Sequence, residues 1–88
     1  MSTKDLAAKY GKSNPQRNVN AAIRQELPGG SPLLDALELV HLTAGSRELA
    51  PGSPLHRQVS EALRLLREAK AQMEAEIRRR YDMPPAAD

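Results

Sequence analysis

Apolar residues recur along this chain at helical spacing and never alternate with polar ones as they would along a half-buried strand. Val19, Ala22, Ile23 and Leu27 fall on one face of a helix. Leu55, Val59, Leu63, Leu66, Met73 and Ile77 form one long stripe, widened by Ala62 and Ala69. Between them, Leu33, Leu34, Ala36, Leu37, Leu39, Val40, Leu42 and Ala44 make a run that is apolar on nearly all sides, the pattern of a helix buried among neighbours. The prolines and glycines fall between these runs or at their first turns.

The pattern predicts four helices. The first covers residues 3–10, with Ser2 or Thr3 as its cap and Gly11 as its left-handed stop. The second covers 15–27, capped by Asn14, with Pro15 at the first position, where no N–H is needed. Pro28-Gly29-Gly30 ends it. The third covers about 32–44, capped by Ser31 and stopped by Gly45. The fourth covers about 54–81, capped by Ser53, with Glu74–Arg78 and Glu76–Arg80 pairs one turn apart in the favourable order. Gly30-Ser31-Pro32-Leu33 recurs as Gly52-Ser53-Pro54-Leu55, and both copies read as one helix-start device: breaker, cap, proline, apolar staple.

The expected fold is therefore an all-α, small helical domain. An antiparallel helical hairpin, about 32–44 and 54–81, is joined by two short N-terminal helices or a partly disordered basic arm. Residues 1–28 form the basic N-terminal segment, 29–82 the hairpin and 83–88 a frayed tail. At 1.5 Å per residue, the two hairpin helices are roughly 20 and 42 Å long. The third helix can therefore cover only about half of the fourth. The stripe from Leu66 to Tyr81 needs either the N-terminal helices folded over it or a second copy. Leu66, Met73, Ile77 and Tyr81 are the expected partner or dimer interface, with Lys70 and Arg80 interrupting a near-heptad seam.

Composition sharpens this picture. The chain has 88 residues, no Phe, Trp or Cys, and only Tyr10 and Tyr81 as aromatics. One domain of this size, with a core of Leu, Val, Ile, Met and Ala and no disulfide, is of marginal stability alone and gains from a partner. The net charge is +2, unevenly spread: +3 over residues 1–28, −2 over 29–54 and +1 over 55–88, the last including Arg78-Arg79-Arg80. A basic end suits phosphate or an acidic surface. No run is long and apolar enough to span a membrane, and the start is polar, so the expected location is cytoplasmic.

Little in the sequence points to catalysis. His41 and His56 lack the spacing of a metal pair, and Asp35 with Glu38 reads as a solvated or partner-facing strip. No nucleophile elbow, phosphate loop or dinucleotide fingerprint occurs. The protein is expected not to be an enzyme, with no metal and no cofactor.

Leu6-Ala7-Ala8-Lys9-Tyr10-Gly11-Lys12-Ser13 resembles the first helix and turn of a DNA-binding helix-turn-helix. In that motif an alanine packs close to the second helix and a glycine makes the turn. The second helix here carries Gln16, Arg17, Asn18, Asn20, Arg24 and Gln25, side chains that read base edges and phosphates. The chain departs from the motif at Arg17, where an apolar residue is expected, and Asn14-Pro15 lengthens the turn. The resemblance implies DNA contact through Lys9, Lys12, Gln16, Arg17, Asn20 and Arg24. Two functions follow as expectations: a small regulatory or accessory protein, dimeric and touching DNA with its basic N-terminal segment; or an adaptor, chaperone or inhibitor that binds a larger protein through the apolar hairpin.

Overall fold

A computed structural model describes residues 3–11 and 14–84 of the chain. Among these residues the fold is all-helical, with no strand: α1 (Thr3–Tyr10), α2 (Pro15–Glu26), α3 (Gly30–Ala44) and α4 (Pro54–Arg80). Ser2, Lys12, Ser13 and residues 85–88 lie outside the described residues, so the capping, basic-contact and fraying expectations placed on them do too.

Most helix ends follow the expected chemistry. Gly11 has φ +66° and its N–H reaches the Ala7 carbonyl at 2.7 Å, closing α1. The Asn14 side chain accepts from the N–H groups of Gln16 and Arg17, and Ser53 Oγ accepts from the N–H of His56. Past α4, Asp82 sits in the left-handed region at φ +51°. Met83 N–H bonds to Arg78 O at 2.8 Å and Asp82 N–H to Arg79 O at 3.3 Å, the Schellman arrangement with aspartate in the place glycine usually takes. Met83 packs on the core and the Pro84 carbonyl accepts from Arg78. The first two residues of the expected frayed tail are therefore tied down.

The start of α3 differs from expectation. The helix begins at Gly30, and Gly29, at φ +75°, is its cap, with no side-chain hydrogen bond. The Gly29 carbonyl accepts from Leu33 N–H at 3.0 Å, the first bond of the helix. Gly30 is pressed on α2: a Cβ there would stand 2.0 Å from the Ile23 carbonyl oxygen. This contact makes the α2–α3 corner tight and draws the helix start forward. Ser31, already inside the helix, accepts instead from Arg24 Nη1 at 2.9 Å. The two Gly-Ser-Pro-Leu copies are thus used differently.

The core gathers Leu6 of α1; Val19, Ala22 and Ile23 of α2; Leu34 of α3; and Ile77 and Tyr81 of α4 and its cap, with Tyr10, Leu27, Met73 and Met83 packed around them. Burying each of the large aliphatic side chains stabilises the fold by about 1.5–3 kcal/mol. No buried side-chain nitrogen or oxygen among the described residues lacks a hydrogen-bond partner. His41, late in α3, meets Arg67 in mid-α4, while Leu34, early in α3, joins the cluster around Ile77 further along α4. The two helices therefore run in opposite directions.

Two expectations are corrected here. The second half of α4 is not left bare, because α1 and α2 fold back over it. Ile77 and Tyr81 are core residues and Met73 packs against them, so these three do not form a free interface; Leu66 is half-buried. Nor is α3 buried on all sides. Of its large side chains only Leu34 is buried, and Leu39 and Leu42 are exposed. The exposed large side chains are Leu39 and Leu42 on α3 and Leu55 and Leu65 on α4.

Candidate functional site

Among the described residues, chemistry gathers at a carboxylate hub and at a cleft with several cations, and four large leucines are exposed.

The hub is Glu26, in the last turn of α2. A carboxylate there opposes the helix dipole and needs other donors. It finds them in both of the chain's aromatics. Its Oε2 accepts from the Tyr10 hydroxyl and, at 2.6 Å, from the Tyr81 hydroxyl. Lys9 Nζ lies 3.6 Å away, and Arg80 reaches Oε1 at 3.7 Å. Only 16% of the Glu26 side chain is exposed. Burial alone pushes its pKa up, but the two phenol hydrogen bonds and Lys9 outweigh it and hold the carboxyl below its ordinary value. Burial and the bond to Glu26 push the Tyr10 phenol well above its ordinary value. A carboxylate so held is a weak base at neutral pH, and the phenol a weak acid, which suits a clasp between α1, α2 and α4 better than proton transfer.

The cleft, of 370 Å³, opens where α2 crosses the α3–α4 pair. Leu34 and Leu37 line it with Asn20, Arg24, Glu38, His41, Arg67 and Lys70. Arg24 is held by Asp35 at 2.9 Å, and Lys70 by Glu74 at 3.7 Å. Arg67 has no acidic partner among the described residues and meets His41 Nδ1 at 3.4 Å. His56 stands apart, half-buried at the start of α4. Among the described residues no group of three or more His, Asp or Glu side chains is placed to hold a metal ion.

The residues expected to contact nucleic acid are thus only partly gathered. Gln16 donates to Asn20 at 3.1 Å, and with Arg24 these two share one helical stripe of α2. Arg17 is exposed, without an acidic partner among the described residues. Lys9 is drawn to Glu26 and Arg24 to Asp35 and Ser31. The sequence reading missed Arg67 and His41 as neighbours of Asn20, because nothing in local spacing joins α2 to mid-α4. The Arg78-Arg79-Arg80 run is engaged throughout: Arg78 with Glu74, Arg79 with Glu76, and Arg80 with Glu76 and Glu26.

The exposure of Leu55 has a geometric cause. With 15 residues α3 is about 22 Å long; with 27, α4 is about 40 Å. The α4 stripe therefore outruns α3, and Leu55 in its first turn is 58% exposed. Leu39 and Leu42, on the back of α3, are 65% and 62% exposed, and Leu65 on α4 is 51% exposed. The core around Leu6, Ile23 and Ile77 lies toward the other end of α4.

Compared with protein-family models, curated proteins and solved structures, the chain matches none. No helix among the described residues is long and apolar enough to cross a membrane.

Proposed function

We propose that the protein is a non-enzymatic helical interaction module that holds another protein against the exposed leucines of α3 and α4. The observation that carries this reading is the set of large exposed leucines, Leu39, Leu42, Leu55 and Leu65, in a chain whose other apolar stripe is covered by its own helices. Leu39 and Leu42, one turn apart on α3, give the nucleus of an apolar contact surface, the kind of feature that marks interaction sites when it is contiguous. An adaptor, chaperone or inhibitor role fits it. A photo-crosslinking residue placed at position 42 of the full chain, in its own cell, should give a discrete protein adduct that Leu39→Glu abolishes. No adduct above that of a control at exposed Ala75, far along α4, would refute the reading.

A second reading, DNA contact through the basic N-terminal segment in a regulatory or accessory role, is supported by Arg17 and by the Gln16–Asn20–Arg24 stripe running toward Arg67 and Lys70. It is weakened by the engagement of Lys9 and Arg24. Binding of this kind falls steeply with salt. A shift assay on random duplex should show binding at low salt that Arg17→Gln weakens; no shift at low salt removes this reading.

A further inference from the structure

The cleft between α2 and the α3–α4 pair draws a polar pair from each helix. Asn20 and Arg24 stand one turn apart on α2, Glu38 and His41 on α3, and Arg67 and Lys70 on α4. Leu34 and Leu37 supply its apolar wall, and none of the four exposed leucines lines it. Two of its cations are already answered within the protein, Arg24 by Asp35 and Lys70 by Glu74. Two other charges are not. Among the described residues Arg67 has no acidic partner and Glu38 no cationic one, and no ion pair joins them to each other.

The hydrogen-bond directions narrow what this cleft can hold. Asn20 Oδ1 accepts from Gln16, so the amide offers a ligand its NH2 end. A guanidinium only donates, so the contact of Arg67 with His41 Nδ1 leaves the ring proton on Nε2. Donors therefore surround the cleft, and Glu38 is its one carboxylate. A simple anion attracted by Arg67 is repelled by Glu38, and a simple cation meets the reverse difficulty. A small molecule with one charge of each sign answers both groups at no net charge. Glu38 lies one turn before His41 on α3, and Arg67 touches the His41 ring, so the two unanswered charges flank one side chain. The ammonium and carboxylate of an α-amino acid, one carbon apart, suit such close quarters. The volume of 370 Å³ falls at the small end of the about 300–1,000 Å³ typical of small-molecule sites, and the apolar wall is aliphatic.

We infer that this cleft binds a free α-amino acid with an aliphatic side chain. Arg67 takes the carboxylate, with the Asn20 amide beside it. Glu38 takes the ammonium group, and Leu34 and Leu37 receive the side chain.

The test is proton NMR of the full chain at neutral pH, titrated with L-leucine. The two histidines make it self-controlled, because His41 lines the cleft and His56, at the start of α4, does not. L-leucine should move the His41 ring signals saturably and leave those of His56 in place. Isocaproate, which lacks the ammonium group, and isoamylamine, which lacks the carboxylate, should each bind at least about tenfold more weakly. Arg67→Gln and Glu38→Gln, both at exposed positions and checked for folding by circular dichroism, should each weaken leucine binding by at least about tenfold. His41 signals that ignore leucine, a singly charged analogue that binds as tightly as leucine, or either variant binding leucine like wild type would overturn the inference. Inorganic phosphate binding as tightly as leucine would also overturn it, and make the cleft a plain anion site. The crosslink at position 42 reads a different surface, so the interaction-surface reading stands or falls separately.

Discussion

Glu26→Ala removes one side chain and leaves two phenols without their acceptor. The Tyr81 residue is 3% exposed, so water cannot readily replace the lost bond. A hydrogen bond to a charged group contributes about 1.5–3 kcal/mol. Against two such bonds stands the relief of no longer burying a carboxylate, worth about 1–3 kcal/mol. Lys9 and Arg80, at 3.6 and 3.7 Å and largely exposed, add little. The net loss is about 3 kcal/mol, against a total stability of roughly 4–13 kcal/mol for a chain of this length. Thermal unfolding should fall by roughly 12–24 °C. Urea titration followed by circular dichroism measures the loss, and a cycle with Tyr81→Phe isolates the shared bond, with a coupling of about 1–2 kcal/mol. The pH dependence gives an independent check. The folded-state pKa of Glu26 is depressed, so its contribution is complete above the unfolded value, about 4.3, and is lost as pH falls through the folded value. Glu61 and Glu76 are depressed too, by their arginine partners, but they are common to both proteins. Wild type should therefore lose more stability than Glu26→Gln on acidification below about pH 4.3. A Glu26→Ala protein within about 0.5 kcal/mol of wild type would refute the clasp.

Three further substitutions test the helix ends. Gly30→Ala forces a methyl group into the Ile23 backbone and should cost upwards of about 2 kcal/mol, read as a drop in the urea midpoint. Ser53→Ala should cost about 1 kcal/mol as a lost cap, whereas Ser31→Ala in the matching tetrapeptide should cost less than half of that; equal losses would contradict the different roles of the two serines. Asp82→Gly should stabilise the protein by about 0.5–1 kcal/mol by relieving a left-handed residue, visible as a higher melting temperature.

Local chemistry was the legible part of this protein. Asn14, Ser53 and Gly11 act through neighbours within three or four residues, so their caps and stops could be read directly. The spacing of Val19, Ala22 and Ile23 marked the buried face of α2 correctly. What failed was long-range. Periodicity shows that α4 has an apolar stripe but not what covers each stretch, and the expected bare half proved to be the covered one. The matching tetrapeptides diverged because the approach of Ile23 to Gly30 is invisible in either. Tyr10 and Tyr81 carry no local sign of meeting, although a glutamate in the last turn of α2, unfavourable to the dipole, was a usable cue. Arg67 and His41 joined Asn20 at the cleft for the same non-local reason.

The shared use of Glu26 by both tyrosines has an optical consequence. The chain contains no tryptophan, so Tyr10 and Tyr81 are its only near-ultraviolet chromophores, and both report on one carboxylate. Tyrosine emission will follow the undocking of α1 and α2 from the end of α4, and it will be blind to fraying at the first turns of α4. A melting curve recorded by fluorescence therefore watches one end of a molecule 46 Å long, while one recorded by far-ultraviolet dichroism watches all of its helices. Their coincidence would establish that the two ends unfold as one cooperative unit.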